Sequence, residues 1–302
     1  MRKILIGLAT LAVLGLGAAW WITEPKTDHI ARVFAIGDAK RGELVFNAGG
    51  CASCHTSPGQ DNRLWLGGGM KFATEFGTFF APNISPHVRD GIGGWSYEMF
   101  TNALQAGVSP DGSHYYPAFP YTTYVHMRPQ DVSDLFAFMR TLPPAEGRAP
   151  PNQVKFPFDQ RRALGFWKFL YLDTKQIAND PAKSAEWNRG RYLVEGLGHC
   201  AECHSARTAL GGIDEAYRMA GGPNPDGKGT TPNLTPGSQA FAKWSKADIV
   251  ELLTTGMTPD PDEVAGSMAE VVKNMSLLPK SDREAMAEYI KSLPAKASPP
   301  KK

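Results

Sequence analysis

Apolar positions along the chain fall into three kinds of run. The first spans Ile4 to Ile22, 19 residues without a charge, directly behind Arg2 and Lys3. It exceeds the ~7–15 apolar residues of a signal-peptide core and nearly meets the ~20 that a membrane-spanning helix needs. The small residues of GAA run straight into Trp20 and Trp21, so no clean small-x-small cleavage site follows. Paired tryptophans suit the far membrane interface, and two basic residues suit a cytoplasmic N-terminus. Residues 1–23 are therefore expected to form a retained anchor in the inner membrane, with a cleaved signal as the alternative. In both cases the rest of the chain is exported to the periplasmic face.

The second kind of run is short, amphipathic and bounded by helix signals. RGELVFNAG (41–49) and RGRYLVEGLG (189–198) each predict a helix. WSYEMFTNALQAG (95–107) and WSKADIVELLTTG (244–256) predict another pair, with Ser at the cap and Gly at the stop. PQDVSDLFAFMRTLP (129–143) and PKSDREAMAEYIKSLP (279–294) predict a last pair, with Pro in the first turn and a Leu-Pro stop. The third kind is RRALGFWKFLYL (161–172), an aromatic amphipathic helix. It is expected to pack between two domains rather than against a membrane or a partner.

These runs predict a mainly α chain: an anchor, a first domain over 37–144, a linker over 145–186 and a second domain over 187–295. The 302 residues suffice for two cores, and 31 Gly and 24 Pro predict long shaped loops between short helices. Net charge is only +2, and both domains are slightly acidic, with 7 basic against 9 acidic residues in the first and 11 against 14 in the second. That balance excludes the concentrated basic face of a nucleic-acid binder. The tail KASPPKK reads as a disordered end.

The two domains are copies. Adding 149 carries Cys51, Cys54 and His55 onto Cys200, Cys203 and His204, and Trp95-Ser96 onto Trp244-Ser245. The same step carries Gly107 onto Gly256 and Ser109-Pro110-Asp111 onto Thr258-Pro259-Asp260. At 150, APNISP (81–86) meets TPNLTP (231–236). All four cysteines lie in CASCH and CAECH. Cys-x-x-Cys-His is the attachment signature of c-type haem, with two thioethers and a proximal histidine. A shared zinc site fits poorly, because the cysteine pairs lie 149 residues apart and His55 and His204 would have no role. Two covalently bound haem c groups are thus expected, on Cys51 and Cys54 with His55 as iron ligand, and on Cys200 and Cys203 with His204.

A Met thioether opposite the histidine raises the potential and favours electron transfer. In the second copy the candidate is Met268, placed in a loop before the last helix, with Met257 and Met275 as nearby alternatives that suit packing better.

The helix carrying Cys-x-x-Cys-His and the last helix crossing it resemble class I cytochrome c, in two tandem domains. PNISP with GIGGWSYEMF and DGSHYYPAFPYTTY, and EWNRGRYLVEGLGHCAECH with PNLTP and GSMAEVV, resemble the cytochrome c subunits of membrane-bound bacterial dehydrogenases for alcohols, gluconate and related sugars. The likeness covers about residues 37–295. It implies Met268 as the second axial ligand, a dehydrogenase catalytic subunit as electron donor, and quinone, a terminal oxidase or a soluble cytochrome as acceptor. Those subunits commonly carry three haems, and this chain has two attachment motifs.

A second departure lies in YYPAFPY (115–121). Subtracting 149 from Met268 gives Phe119, where the resembling subunits usually have Met, and a phenylalanine cannot ligate iron. Met127 is the expected replacement, with His126 or an open sixth position as alternatives. Met127 also suits a hydrophobic staple at the start of the last helix, and His114 suits a propionate. The leading function is non-catalytic electron transfer. The rivals are a di-haem enzyme, of peroxidase or thiosulfate-oxidising type with an open or labile first haem, and a haem sensor of gaseous ligands.

Overall fold

The computed structural model describes residues 2–30, 35–224, 229–260 and 262–300. Helix α1 (Arg2–Ile22) is apolar along its length and has no buried residue. It is exposed over nearly all of its circumference, with only Ala19 and Ile22 partly covered, and is long and apolar enough to cross a membrane.

In the first unit, α2 (Ala39–Ala48) starts at Asp38, whose side chain accepts the Arg41 amide, and α3 (Cys51–His55) follows after two glycines. Helix α4 (Tyr97–Thr101) is capped by Ser96 and continues as a single π turn over Asn102–Ala106. Next come α5 (Tyr121–Tyr124) and α6 (Pro129–Met139), the latter with Pro in its first turn, where the missing N–H costs nothing. The second unit repeats the plan after α7 (Leu164–Tyr171). Helix α8 (Ala185–Tyr192) is capped by Ser184 and runs into a π turn over Leu193–Leu197. Helix α9 (Cys200–Cys203), α10 (Gln239–Ala242) and α11 (Lys246–Thr255) follow, α11 opening on a Ser245–Asp248 capping box. Helices α12 (Ser267–Met275) and α13 (Lys280–Lys291) complete it.

Each unit is held by its first and last helices crossing at a glycine. A methyl group on Gly42 would overlap the Asp134 carbonyl, and one on Gly190 would overlap that of Ala285, so the backbones touch where no side chain fits. A charged clamp beside each crossing is repeated. Arg41 donates to Asp134 at 2.7 and 2.9 Å, and Arg189 donates to Asp282 at 2.9 and 2.7 Å. One continuous cluster of buried side chains spans both units, with Phe46, Leu135 and Phe138 from the first and Tyr192, Leu197 and Met286 from the second.

One expectation needs correcting. Met268 lies at the start of α12 and not in a loop. Met268, Val271, Val272 and Met275 recur at i, i+3, i+4 and i+7, the spacing of one helix face. The stretch after residue 145 carries regular structure of its own. Strands β1 (Lys71–Thr74) and β2 (Gly77–Phe80) form a hairpin, and β3 (Gln153–Val154) adds to its edge with Gly77 opposite Val154. Helix α7 packs between the units, as expected: Lys168 donates to the Ala106 and Gly107 carbonyls, and the Trp167 indole donates to that of Leu210.

Candidate haem sites

Both Cys-x-x-Cys-His segments are short helices whose four cysteines form no disulfide. Behind each, the histidine is aimed by the same device. His55 Nδ1 lies 2.8 Å from the Pro82 carbonyl oxygen, and His204 Nδ1 lies 2.9 Å from that of Pro232. A carbonyl only accepts, so Nδ1 carries the proton and Nε2 keeps the lone pair an iron needs. Burial lowers the pKa of both imidazoles, against the opposing pull of these hydrogen bonds, which favours the neutral ligating form. Two cysteines outside any disulfide and an oriented neutral imidazole fit the attachment and the proximal ligation of a c-type haem.

The residue after each proline is an asparagine whose side chain ties the loop to more distant backbone. Asn83 Oδ1 accepts the Ser85 amide at 2.9 Å while its Nδ2 donates to the Ala145 and Gly147 carbonyls. Asn233 Oδ1 accepts the Thr235 amide at 2.8 Å while its Nδ2 donates to the Lys296 carbonyl. The Pro-Asn pairs of APNISP and TPNLTP, legible in the sequence only as repeat markers, are thus the supports of the two histidines. Their recurrence at a step of 150, one residue more than that of the histidines, was the available signal.

The two attachment segments meet. Gly49 presents its carbonyl to the Tyr124 hydroxyl at 2.6 Å and to His199 Nε2 at 3.3 Å. Gly50 and His199 directly precede Cys51 and Cys200, and both adopt the left-handed conformation, at φ +66° and +41°. Glycine takes that conformation freely, whereas histidine pays a steric cost. The Tyr124 and His199 rings lie 5.9 Å apart. Thr122 donates to Glu202 at 2.9 Å, and Glu202 is paired with Arg207. On the other side, Asn274 of α12 donates to Ser53, inside CASCH, at 2.6 Å, and Arg63 bonds Asn274.

The axial candidates are placed as follows. Met268 is half-buried, packed against the core cluster. Met257 is 42 % exposed, whereas Met275 is 2 % exposed, a core residue. In the first unit Phe119 is half-buried in an aromatic cage, 5.8 Å from the rings of Tyr115 and Tyr124 and 6.3 Å from that of Tyr121. Met127 is 1 % exposed and enclosed by core side chains. At a step of 148, the interval that carries Arg41 and Asp134 onto Arg189 and Asp282, Met127 falls on Met275. His126 is half-buried with Nδ1 bonded to the Lys175 carbonyl at 2.8 Å. His114 is buried, its Nε2 bonded to the Thr23 carbonyl at 3.0 Å, and its hairpin with Val108 recurs in the second unit as Met257 with Glu263.

Comparison with known proteins agrees with this geometry. The cytochrome c family profile matches twice, over residues 39–143 and 188–294. A diheme cytochrome c-type protein of Cereibacter sphaeroides is 50% identical over 297 residues, covering 97% of this chain and 99% of that one. A nicotinate dehydrogenase subunit of Pseudomonas putida is 40% identical over 94% of this chain, which spans only 24% of that protein. The fructose dehydrogenase cytochrome subunit of Gluconobacter japonicus is 37% identical over 85% of this chain, which spans 53% of it. With its two oriented histidines behind paired cysteines, the chain belongs to the cytochrome c family, as a di-haem member with two covalently bound haem c groups.

Proposed function

We propose that this protein is an electron relay anchored at the periplasmic face of the inner membrane, taking electrons from a dehydrogenase catalytic subunit and passing them to quinone, a terminal oxidase or a soluble cytochrome. Haem, when bound, supplies the one-electron couple; the chain supplies position. The observation that carries the reading is the contact of Gly49 and Gly50 with His199, which sets the two attachment segments side by side. The Thr122–Glu202 and Asn274–Ser53 bonds fix that arrangement from both sides. The relatives named as dehydrogenase subunits supply the donor class.

On this reading His204 and Met268 ligate the second iron and His55 the first. Met127 serves the core of the first unit as Met275 serves that of the second, and the first iron would be held by His55 with no second protein side chain. Phe119 stands at the repeat position of Met268, among tyrosines rather than acid–base groups. His114 lies buried with Nε2 on the Thr23 carbonyl, and His126 is held through Nδ1 by the Lys175 carbonyl. The test is turnover: the purified full chain, reduced chemically, should reduce a high-potential soluble cytochrome and leave peroxide and thiosulfate unconverted. Sustained conversion of either substrate without a partner would overturn the relay.

A further inference from the structure

Helix α7 has three faces, and only two are used. Gly165 and Lys168 lie on one side, where Gly165 touches the backbone of Thr23, directly after α1, and Lys168 reaches Ala106 and Gly107 of the first unit. Trp167 and Tyr171 face the second, bonding Leu210 and Thr208. The third face carries Phe166, Phe169 and Leu170, spaced i, i+3 and i+4, and these are 42, 70 and 58 % exposed. Phe156, on the loop before α7, is 79 % exposed. A cluster of large apolar side chains on one face marks a contact surface.

What covers it follows from the neighbour of α7. The C-terminal end of α1 is clamped to the start of α7: Arg162 donates to Thr23 Oγ1 at 3.2 Å and to the Trp20 carbonyl at 3.0 Å. The guanidinium of Arg162 also sits 3.9 Å above the Trp20 ring, and the Lys26 ammonium 3.2 Å above that of Trp21. Tryptophans of a spanning helix mark the headgroup level. Phe166 comes next in sequence after Gly165, which touches the residue following α1. The eight residues of α7 extend ~12 Å at 1.5 Å each, and a headgroup layer is roughly 5–8 Å deep on each side. Resting on the reading of α1 as a retained anchor, we propose that the Phe166–Phe169–Leu170 face of α7 lies in the phospholipid headgroup layer. Arg162 and Lys26 then meet anionic phosphates beside it, so the haem-bearing units are held at a fixed orientation to the membrane instead of swinging on α1.

The test places the photocrosslinker p-benzoylphenylalanine at Phe169 in the full chain, in intact membranes, with Val88, 72 % exposed on the first unit, as control. Phospholipid adducts at position 169 and none at position 88 are expected. Adducts with polypeptide only, or equal lipid labelling at both positions, overturn the inference. Alkaline carbonate extraction of the same membranes reports on the anchor separately. A chain that resists extraction but gives no lipid adduct at 169 leaves α1 as an anchor and refutes the α7 contact. A chain released by carbonate refutes the anchor, and the inference then falls with it unless position 169 still crosslinks to lipid.

Discussion

His199 donates from Nε2 to the carbonyl oxygen of Gly49, 150 residues away in sequence and two positions before the first haem cysteine. Its left-handed backbone costs about 1 kcal/mol for a residue with a side chain, and the part-buried bond returns about 1 kcal/mol. His199→Ala keeps the strain and loses the bond and the Tyr124 ring contact, so it should destabilise the haem-loaded protein by about 1–2 kcal/mol. His199→Gly loses the same contacts but relieves the strain and should lie closer to wild type. Urea unfolding of the three proteins checks the order, and an alanine variant more stable than the glycine variant would refute it.

Met127 separates two readings of the first site. As an enclosed core side chain, its replacement by Ala should cost about 2–5 kcal/mol through the cavity left behind. Met127→Leu should cost under about 1.5 kcal/mol. Neither substitution should alter the sulfur-to-iron charge-transfer absorption of the ferric protein, which Met268→Ala should abolish. Loss of that absorption in Met127→Leu would return Met127 to the iron.

Lys168 gives the protein a pH dependence. Burial, with added repulsion from Arg161, pushes its ammonium down from 10.5 to about 7. His114 and Tyr121 are its other titratable neighbours. The neutral amine retains two N–H groups for the Ala106 and Gly107 carbonyls, so deprotonation costs no hydrogen bond. Between pH 7 and 10.5 the unfolded chain holds a proton that the folded chain has released, so stability attributable to Lys168 rises with pH across that window, by on the order of a few kcal/mol. Chemical denaturation at several pH values should show this rise in wild type and a flatter profile in Lys168→Met. Parallel profiles would contradict it.

Much of this architecture is written in local pattern. Cys-x-x-Cys-His, the cap residues Ser96 and Ser245, and the constant step between copies are all visible within a few residues or by self-comparison. What the sequence hides is long-range pairing. Arg41 meets Asp134 across 93 residues, and nothing local to either marks the pair, although its recurrence as Arg189 and Asp282 does once the partners are known. The role of Asn83 depends on Ala145, far along the chain, and the strand Gln153–Val154 is too short to show a period. Helix α12 was legible from its apolar spacing, but the haem loop expected there concealed it. The exposed face of α7 could not be foreseen, because the pattern of RRALGFWKFLYL shows an apolar stripe without saying which part another element covers.

Carbon monoxide stoichiometry on the fully reduced, purified protein tests the asymmetry between Phe119 and Met268 most directly. A haem with two protein ligands binds little, and one with a free sixth position binds one equivalent. The expected result is one carbon monoxide per chain, at the haem on Cys51 and Cys54, falling toward none in Phe119→Met as the restored thioether takes the position. Wild-type protein that binds none, or binding unchanged by Phe119→Met, would contradict it.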